Sequence, residues 1–374
     1  MPDPVIRALR LALGTASALG FARFAYGLLL PAMREELGWT LGQAGALNTA
    51  NGLGYLLGAL LTSPVVRRLG TAGAFRWGMV LTAVALAATA ITDDFSTLLV
   101  IRTVAGLTGA VVFIAGGVIA ARTPSAAAIP LYFAGSGLGI VVSGAAIPAM
   151  GSHWRTGWIV LGVAAGLAAL VSWGAAHTDG DAPTTATGTA RVLPQWRTAV
   201  AYVLFGAGYI TYITFLSAYL ADRDASVVQV TLTWTALGAA VGAVPVVWGR
   251  PIAHWPGSSA LATLLAVLAA GAALALVSPS PAVVLVSAIV YGATFIGVPA
   301  AVTALIKRNT PAADWTATLA AFTTLFAAGQ TVGPWIAGVL ADHTSTGATV
   351  AWTAVLCGAG AALTVSRRRP APRR

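Results

Sequence analysis

Two arginines stand where charge is least expected. Arg23 lies in Gly20-Phe21-Ala22-Arg23-Phe24-Ala25-Tyr26-Gly27, inside an apolar run from about Leu9 to Met33, and Arg102 lies in a second run over about 95–121. A run of roughly 20 apolar residues crosses a bilayer, so both guanidiniums are placed at hydrocarbon depth. A charge there costs about 2.5–3.5 kcal/mol on insertion scales, and it faces a protein interior or a water-filled cavity. No Asp or Glu falls within any apolar run to neutralise either one. The chemistry this leaves open is anion recognition, with the carboxylate arriving on the substrate and gripped by the planar guanidinium fork. The plainer alternatives are that Arg23 bonds a backbone carbonyl or stacks on an aromatic ring, and that Arg102 snorkels to the headgroups.

Other polar and aromatic side chains fall mid-run. Asn48, Asn51 and Tyr55 are spaced i, i+3, i+7 and so share one helix face. Tyr26 follows Arg23 by three residues. Phe205, Tyr209, Tyr212 and Tyr219 recur at near-helical spacing, while Trp234 and Gln330 sit in the middle of later runs. The candidate substrate-binding set is Arg23, Tyr26, Asn48, Asn51, Tyr55, Arg102, Tyr209, Tyr212, Trp234 and Gln330. Against that reading, polar residues on one face often only bridge helices, and an aromatic stripe is more often packing. Tyr132, Ser136 and Ser143 form a weaker stripe of the same kind.

The chain has 374 residues, 57% hydrophobic and 9% charged, against about 25% charged in soluble domains. Too little polar surface remains to cover a water-soluble globule. The expected fold class is an all-α membrane protein. Apolar runs at about 9–33, 41–64, 73–91, 95–121, 126–149 and 154–176 are followed by a second set at 198–221, 226–249, 258–277, 281–305, 315–341 and 345–365, which predicts twelve transmembrane helices. The first run resembles a secretory signal, but it is too long and holds Arg23, so it is read as a retained helix. The expected organisation is an N-terminal six-helix bundle over 1–176, a cytoplasmic linker over 177–197, a C-terminal bundle over 198–366 and a basic cytoplasmic tail over 367–374.

Basic residues orient the spans. Of the 21 Lys and Arg, all but Arg23 and Arg102 fall at span ends, sixteen on the side of the termini and only Arg34, Arg155 and Arg223 on the other. The positive-inside rule then places both termini in the cytoplasm. Trp39, Trp77, Trp154, Trp196, Trp255 and Trp315 are expected to form an interfacial belt. The net charge of +10 is anchoring charge, and no nucleic-acid partner is implied. Near-exclusive use of Arg over Lys points to a GC-rich bacterium and hence to its cytoplasmic (inner) membrane.

The two halves repeat. A shift of 186 places Gly20 on Gly206, Tyr26 on Tyr212, Gln43 on Gln229, Gly52 on Gly238 and Gly106 on Gly292, and a shift of 194 places Gly135, Gly139 and Gly144 on Gly329, Gly333 and Gly338. Such a series marks a duplicated six-helix unit. Over nearly its whole length the chain resembles the major facilitator superfamily. Arg102-Thr-Val-Ala-Gly106 is similar to that family's fourth-helix motif, Gly333-Pro334 through Asp342 to its eleventh-helix pattern, and Gly135 through Gly144 to its fifth-helix glycine motif without the usual Pro. In Ser63-Pro-Val-Val-Arg67-Arg68-Leu69-Gly70, Arg67 takes the position of the family's loop aspartate. Gly20 to Gly58 resembles the bacterial YbfB/YjiJ-type branch. The resemblance implies two pseudo-symmetric six-helix bundles rocking about a central site lined by helices 1, 4, 7 and 10. From the repeat, Arg23, Asn51, Tyr209, Tyr212 and Gln330 are expected to border one space near the midplane.

Enzymatic chemistry finds no purchase. The only Lys, Lys307, follows Ile306 rather than the Gly of a phosphate loop, and His-Glu-x-x-His and Gly-x-Ser-x-Gly are missing. Cys357 has no second cysteine, and His153, His177, His254 and His343 fall at span ends. No metal and no cofactor are expected. The leading reading is a monomeric secondary active transporter that moves a small organic anion by alternating access, coupled to protons or to a counter-transported anion. An exporter of drugs or amphipathic compounds is the alternative, although such exporters usually carry an acidic residue inside an N-terminal helix. A non-transporting receptor or scaffold is the second alternative, and it would need longer loops. Reporter fusions test the topology: the Gly180 region and the C-terminal tail should report from the cytoplasm and the Asp93–Asp94 turn from outside. A periplasmic signal at Gly180 contradicts the twelve-span arrangement.

Overall fold

The computed structural model describes residues 3–125, 127–177 and 188–365. Helix starts follow local chemistry. Thr40 Oγ1 accepts from Gln43 N (3.1 Å) while Gln43 Oε1 accepts from Thr40 N (3.0 Å), a reciprocal capping box. Asp94 accepts from both the side chain and the backbone of Thr97 (2.6 and 2.7 Å), which holds its carboxyl below the ordinary range. Ser226 and Ser280 cap later helices in the same way.

Twelve apolar helices follow among the described residues. The first, α1, is Pro4–Leu37. The helix Leu41–Ala88 is broken at Gly70, whose φ of 72° and ψ of 162° only glycine adopts easily, so it counts as α2 (41–69) and α3 (71–88). Then come α4 (Phe95–Arg122), α5 (Ala128–Ala146), α6 (Trp154–Trp173) and α7 (Trp196–Ala221). The pair Val227–Val241 and Val244–His254, bent by 41°, forms α8. The last four are α9 (Ser259–Val277), α10 (Pro281–Asn309), α11 (Trp315–Asp342) and α12 (Gly347–Thr364). The tail over 367–374 and residues 178–187 of the linker lie outside the described residues.

In lipid, helices gain little by hiding apolar surface from one another, so close approach through small residues does the work. Gly54 and Gly58 of α2 lie against the backbone of α4 at Thr103 and Leu107, and Gly106 of α4 lies against Asn51. The α5 glycines are two-sided: Gly135 and Gly139 receive α1, while Gly137 and Gly144 receive α8. Gly329 and Gly333 of α11 dock on α7 at Val203 and Ala207. A side chain at any of these positions would meet backbone or a packed ring.

The two six-helix halves meet through α1–α7, α2–α11 and α5–α8. The close approaches all lie away from the termini: Gly27 on Ile213, Gly45 on Pro334, Gly338 on Leu41, and Gly137 on Gly238. At that distal end Asp342 of α11 accepts from Leu41 N (2.6 Å) and Gly42 N (2.8 Å), capping α2 of the other half. Arg34 and Asp222 form an ion pair across the halves at 3.9 Å. At the end that carries the termini, arginines instead tie helices within a half. Arg7 and Arg76 donate to the C-terminal carbonyls of α6 (3.0 Å to Ala175 O; 2.8 Å to Trp173 O), and Arg308 donates to those of α8 (3.1 Å to Ile252 O).

The tryptophans divide. Trp77, Trp196 and Trp255 are exposed at helix ends, whereas Trp39 packs edge-on against Phe95 and Trp154 is fully buried with its indole N–H on Glu36 (2.9 Å). Those two are interior residues, because each has an aromatic or carboxylate partner at the head of the bundle.

Candidate functional site

The site begins with the winding of α1. Between Ala16 and Phe24 its hydrogen bonds run i→i+5, a π-helical stretch of nine residues that contains Arg23. Such insertions re-aim side chains and recur at functional sites. Gly20 and Gly139 make room for it, since a side chain on either would meet the other helix.

Arg23 is 3% exposed. Its guanidinium lies over the Tyr55 ring at 5.4 Å, and the adjacent Phe24 meets Phe295 of the opposite half at 6.0 Å. Nε and Nη2 have no hydrogen-bond partner among the described residues. Those two N–H groups point along one edge of the guanidinium plane, parallel to each other. They form the edge that takes the two oxygens of a carboxylate.

Arg102 is arranged differently. It is fully buried, donates from Nη2 to Ala22 O (2.7 Å), and lies over the rings of Trp158 (4.8 Å) and Tyr26 (5.3 Å). Its unpartnered Nε and Nη1 do not share an edge. Asn51 donates to both Arg102 O (3.2 Å) and Ala22 O (3.4 Å), and Tyr26 donates to Ala44 O (2.7 Å) while stacking on Trp158. Arg102, Tyr26 and Asn51 thus form one polar and aromatic joint among α1, α2, α4 and α6. Arg102 neither snorkels nor lines the space before Arg23. No ion pair to Arg23 or Arg102 occurs among the described residues.

Across from Arg23, the aromatic residues of α7 belong to a column of near-parallel rings. Tyr202, Phe205 and Tyr209 stack with Phe326 of α11, and Tyr209 continues through Phe295 and Tyr291 of α10 to Tyr212, with interplanar angles of at most 26° along Tyr209–Phe295 (18°), Phe295–Tyr291 (26°) and Tyr291–Tyr212 (14°). Phe24 of α1 meets Phe295 edge-on at 6.0 Å, joining the halves. Tyr209 donates to Gln330 Oε1 (3.0 Å), leaving the buried Gln330 Nε2 unpartnered.

The structure therefore brings together Arg23, Tyr55, Tyr209 and Gln330. Tyr212 is turned away, its hydroxyl on Ser287 (2.8 Å). Asn48 donates to Thr214 and Trp234 to Ser217 (2.9 Å), both as joints between helices. The Tyr132 hydroxyl bonds Phe113 O (2.9 Å), and Ser136 and Ser143 bond their own helix. Phe24, Phe295 and Phe326 escape sequence reasoning because a mid-span Phe carries no signal. Trp158 could have been suspected, since a buried indole N–H within a span needs a partner; its partner is Met33 Sδ (3.3 Å).

Twelve apolar helices in two pseudo-symmetric bundles that meet beside a buried, unpaired arginine have the architecture of a membrane transporter of the major facilitator fold. The family model described as "Uncharacterised MFS-type transporter YbfB" matches residues 15–367, and the chain belongs to that family. A search of curated proteins finds no match. Similar solved structures are a mutant form of the nucleoside transporter NupG (TM-score 0.73, 14% identity, 95% of this chain and 98% of that one) and the human organic anion transporter MFSD10, also called TETRAN (TM-score 0.66, 14% identity, 97% and 100%). At that identity they share the fold.

The contrast between the two arginines makes a prediction. Arg102→Gln should lower the thermal midpoint of the purified protein, with about 1.5–3 kcal/mol lost through the charged hydrogen bond alone. Arg23→Gln should leave the midpoint unchanged or raise it, because it removes a buried charge that lacks a partner. Melting curves followed by size-exclusion chromatography read both. A stable Arg102→Gln beside an unfolded Arg23→Gln would reverse the assignment.

Proposed function

We propose that this protein is a secondary active transporter that moves a small organic anion across a bacterial cytoplasmic membrane by alternating access, with Arg23 as the anion-binding residue. The observation that carries the reading is the Nε/Nη2 edge of Arg23, buried at hydrocarbon depth and without a partner or a paired carboxylate among the described residues. An isolated charge in that setting is costly, and a substrate carboxylate offsets it while the binding lasts. Tyr55 lies against the guanidinium, and Gln330, held by Tyr209 in the other half, packs its backbone on Gly52 one turn from Tyr55. Binding therefore draws on both bundles, 1–176 and 198–366, which is what couples occupancy to their relative motion.

The termini and the 177–197 linker are cytoplasmic in this reading, on the distribution of basic residues. The Asp342 cap on α2 and the Arg34–Asp222 pair then close the outer end, and the site is reached from the cytoplasm. Opening outward breaks those few polar contacts and exchanges the glycine-lined approaches for others at the inner end. The protein acts as a monomer, and the coupling partner is a proton or a second anion exchanged through the same arginine. Export of amphipathic compounds is the competing reading, and the aromatic column favours it; what opposes it is a positive rather than a negative centre.

Transport into proteoliposomes, normalised to inserted protein, tests the role of Arg23. Arg23→Lys should remain folded yet transport a carboxylate at least about tenfold less well, equivalent to about 1.4 kcal/mol. Arg23→Gln should do worse. Normal uptake of an anionic solute by Arg23→Gln would remove Arg23 from the site.

A further inference from the structure

Gln330 carries a second unmatched donor. The residue is 1% exposed, and its Oε1 is held by the Tyr209 hydroxyl. Its amide orientation is thereby set, and Nε2 is left without an acceptor among the described residues. A buried amide N–H without an acceptor costs about 1–3 kcal/mol. Arg23 and Gln330 are linked by packing: Phe24, beside Arg23, meets Phe295, which stacks on Tyr209, and Gly52, one turn from Tyr55, packs on the Gln330 backbone. The two unpartnered donors thus belong to opposite halves, on either side of one aromatic contact.

The wall between them is flat. Phe326 stacks on Tyr202 at 4.8 Å and on Tyr209 at 5.5 Å, with interplanar angles of 18° and 24°. Tyr209 stacks on Phe295 at 6.0 Å and 18°. Tyr202, Tyr209 and Phe295 are buried, whereas Phe326 is half-buried. A column of parallel faces is extended best by another flat π-system in offset stacking, and a puckered saturated ring gains less there.

From these observations we infer that the transported solute is a planar aromatic or conjugated carboxylate with a second hydrogen-bond acceptor remote from the carboxylate. The carboxylate meets the free edge of Arg23, the flat body lies against Phe326 and Tyr209, and the remote acceptor takes the N–H of Gln330. The inference rests on the anion reading of Arg23 and narrows it. It also explains why a glutamine, which offers one acceptor to Tyr209 and one donor to the space, stands in the middle of α11.

Equilibrium binding to the purified full-length protein tests it with simple probes. These are 3- and 4-acetylbenzoate, 4-isopropylbenzoate as the shape mimic without the acceptor, 4-acetylcyclohexanecarboxylate as the non-planar analogue, and 4-acetylbenzamide as the uncharged one. The tighter acetylbenzoate should bind at least about fivefold better than the isopropyl and cyclohexane compounds, as expected for a buried donor left unmatched, and the benzamide should bind weakest. Gln330→Leu should erase the advantage of the acetyl group and leave 4-isopropylbenzoate within about twofold. If that variant does not fold, the comparison of probes on the unaltered protein decides alone. Carboxylates bound equally well whatever their planarity or acceptor, with the benzamide rejected, would overturn this inference and leave the anion site standing. Benzamide bound as well as the acids would overturn both. Failure of all the probes to bind at millimolar concentration would overturn the aromatic class.

Discussion

A guanidinium inside a bilayer must be answered by something, and the two arginines of this protein are answered in opposite ways. Arg102 is enclosed by its own half: one carbonyl accepts from it, two aromatic faces cover it, and Asn51 ties the stretch of backbone it grips. Arg23 is supported from below by Tyr55 and left open along one edge. The first arrangement stabilises a joint among four helices. The second stores an unmet interaction at the centre of the molecule. Local rules of protein architecture are broken at functional sites and compensated elsewhere; in the proposed reading Arg23 is such a break and the Arg102 joint beside it the compensation.

In the proposed transport cycle the rest of the architecture holds that open edge in place while letting the halves move. Glycine-lined contacts bring α5 against both α1 and α8, and α2 against both α4 and α11. Each pair includes one contact within a half and one between halves. The contacts within a half are supplemented by arginine caps and buried hydroxyls. Those between halves rest on a few polar groups at one end: Asp342 on the first amides of α2, Arg34 with Asp222, and Asn48 with Thr214. Smooth backbone surfaces with few directional bonds suit a joint that must slide.

The helical class, the number of spans and the family were legible in the sequence, because a bilayer imposes length and composition directly. Even the break at Gly70 coincided with a polar gap between apolar runs. The candidate site was only partly legible. Arg23 declared itself by its cost, and Gln330 and Tyr209 by being polar in mid-span. Asn51, Tyr26 and Arg102 gave the same signal, yet they are bonded into a structural joint. Sequence marks a polar group that needs a partner, but whether the protein supplies that partner depends on neighbours far along the chain, such as Ala22 and Ala44 carbonyls or the Trp158 ring. The π-helical turn was not legible at all. It arises from the fit of Gly20 against Gly139, a tertiary contact without a local pattern.

The central claim is that the free edge of Arg23 is completed by a carboxylate of the transported solute. A structure determined with a bound organic acid tests this most directly. The account predicts both carboxylate oxygens at about 2.7–2.9 Å from Nε and Nη2 of Arg23, with Arg102 still donating to Ala22 O. A carboxylate bound elsewhere, or an Arg23 edge taken up by a group of the protein itself, would contradict it.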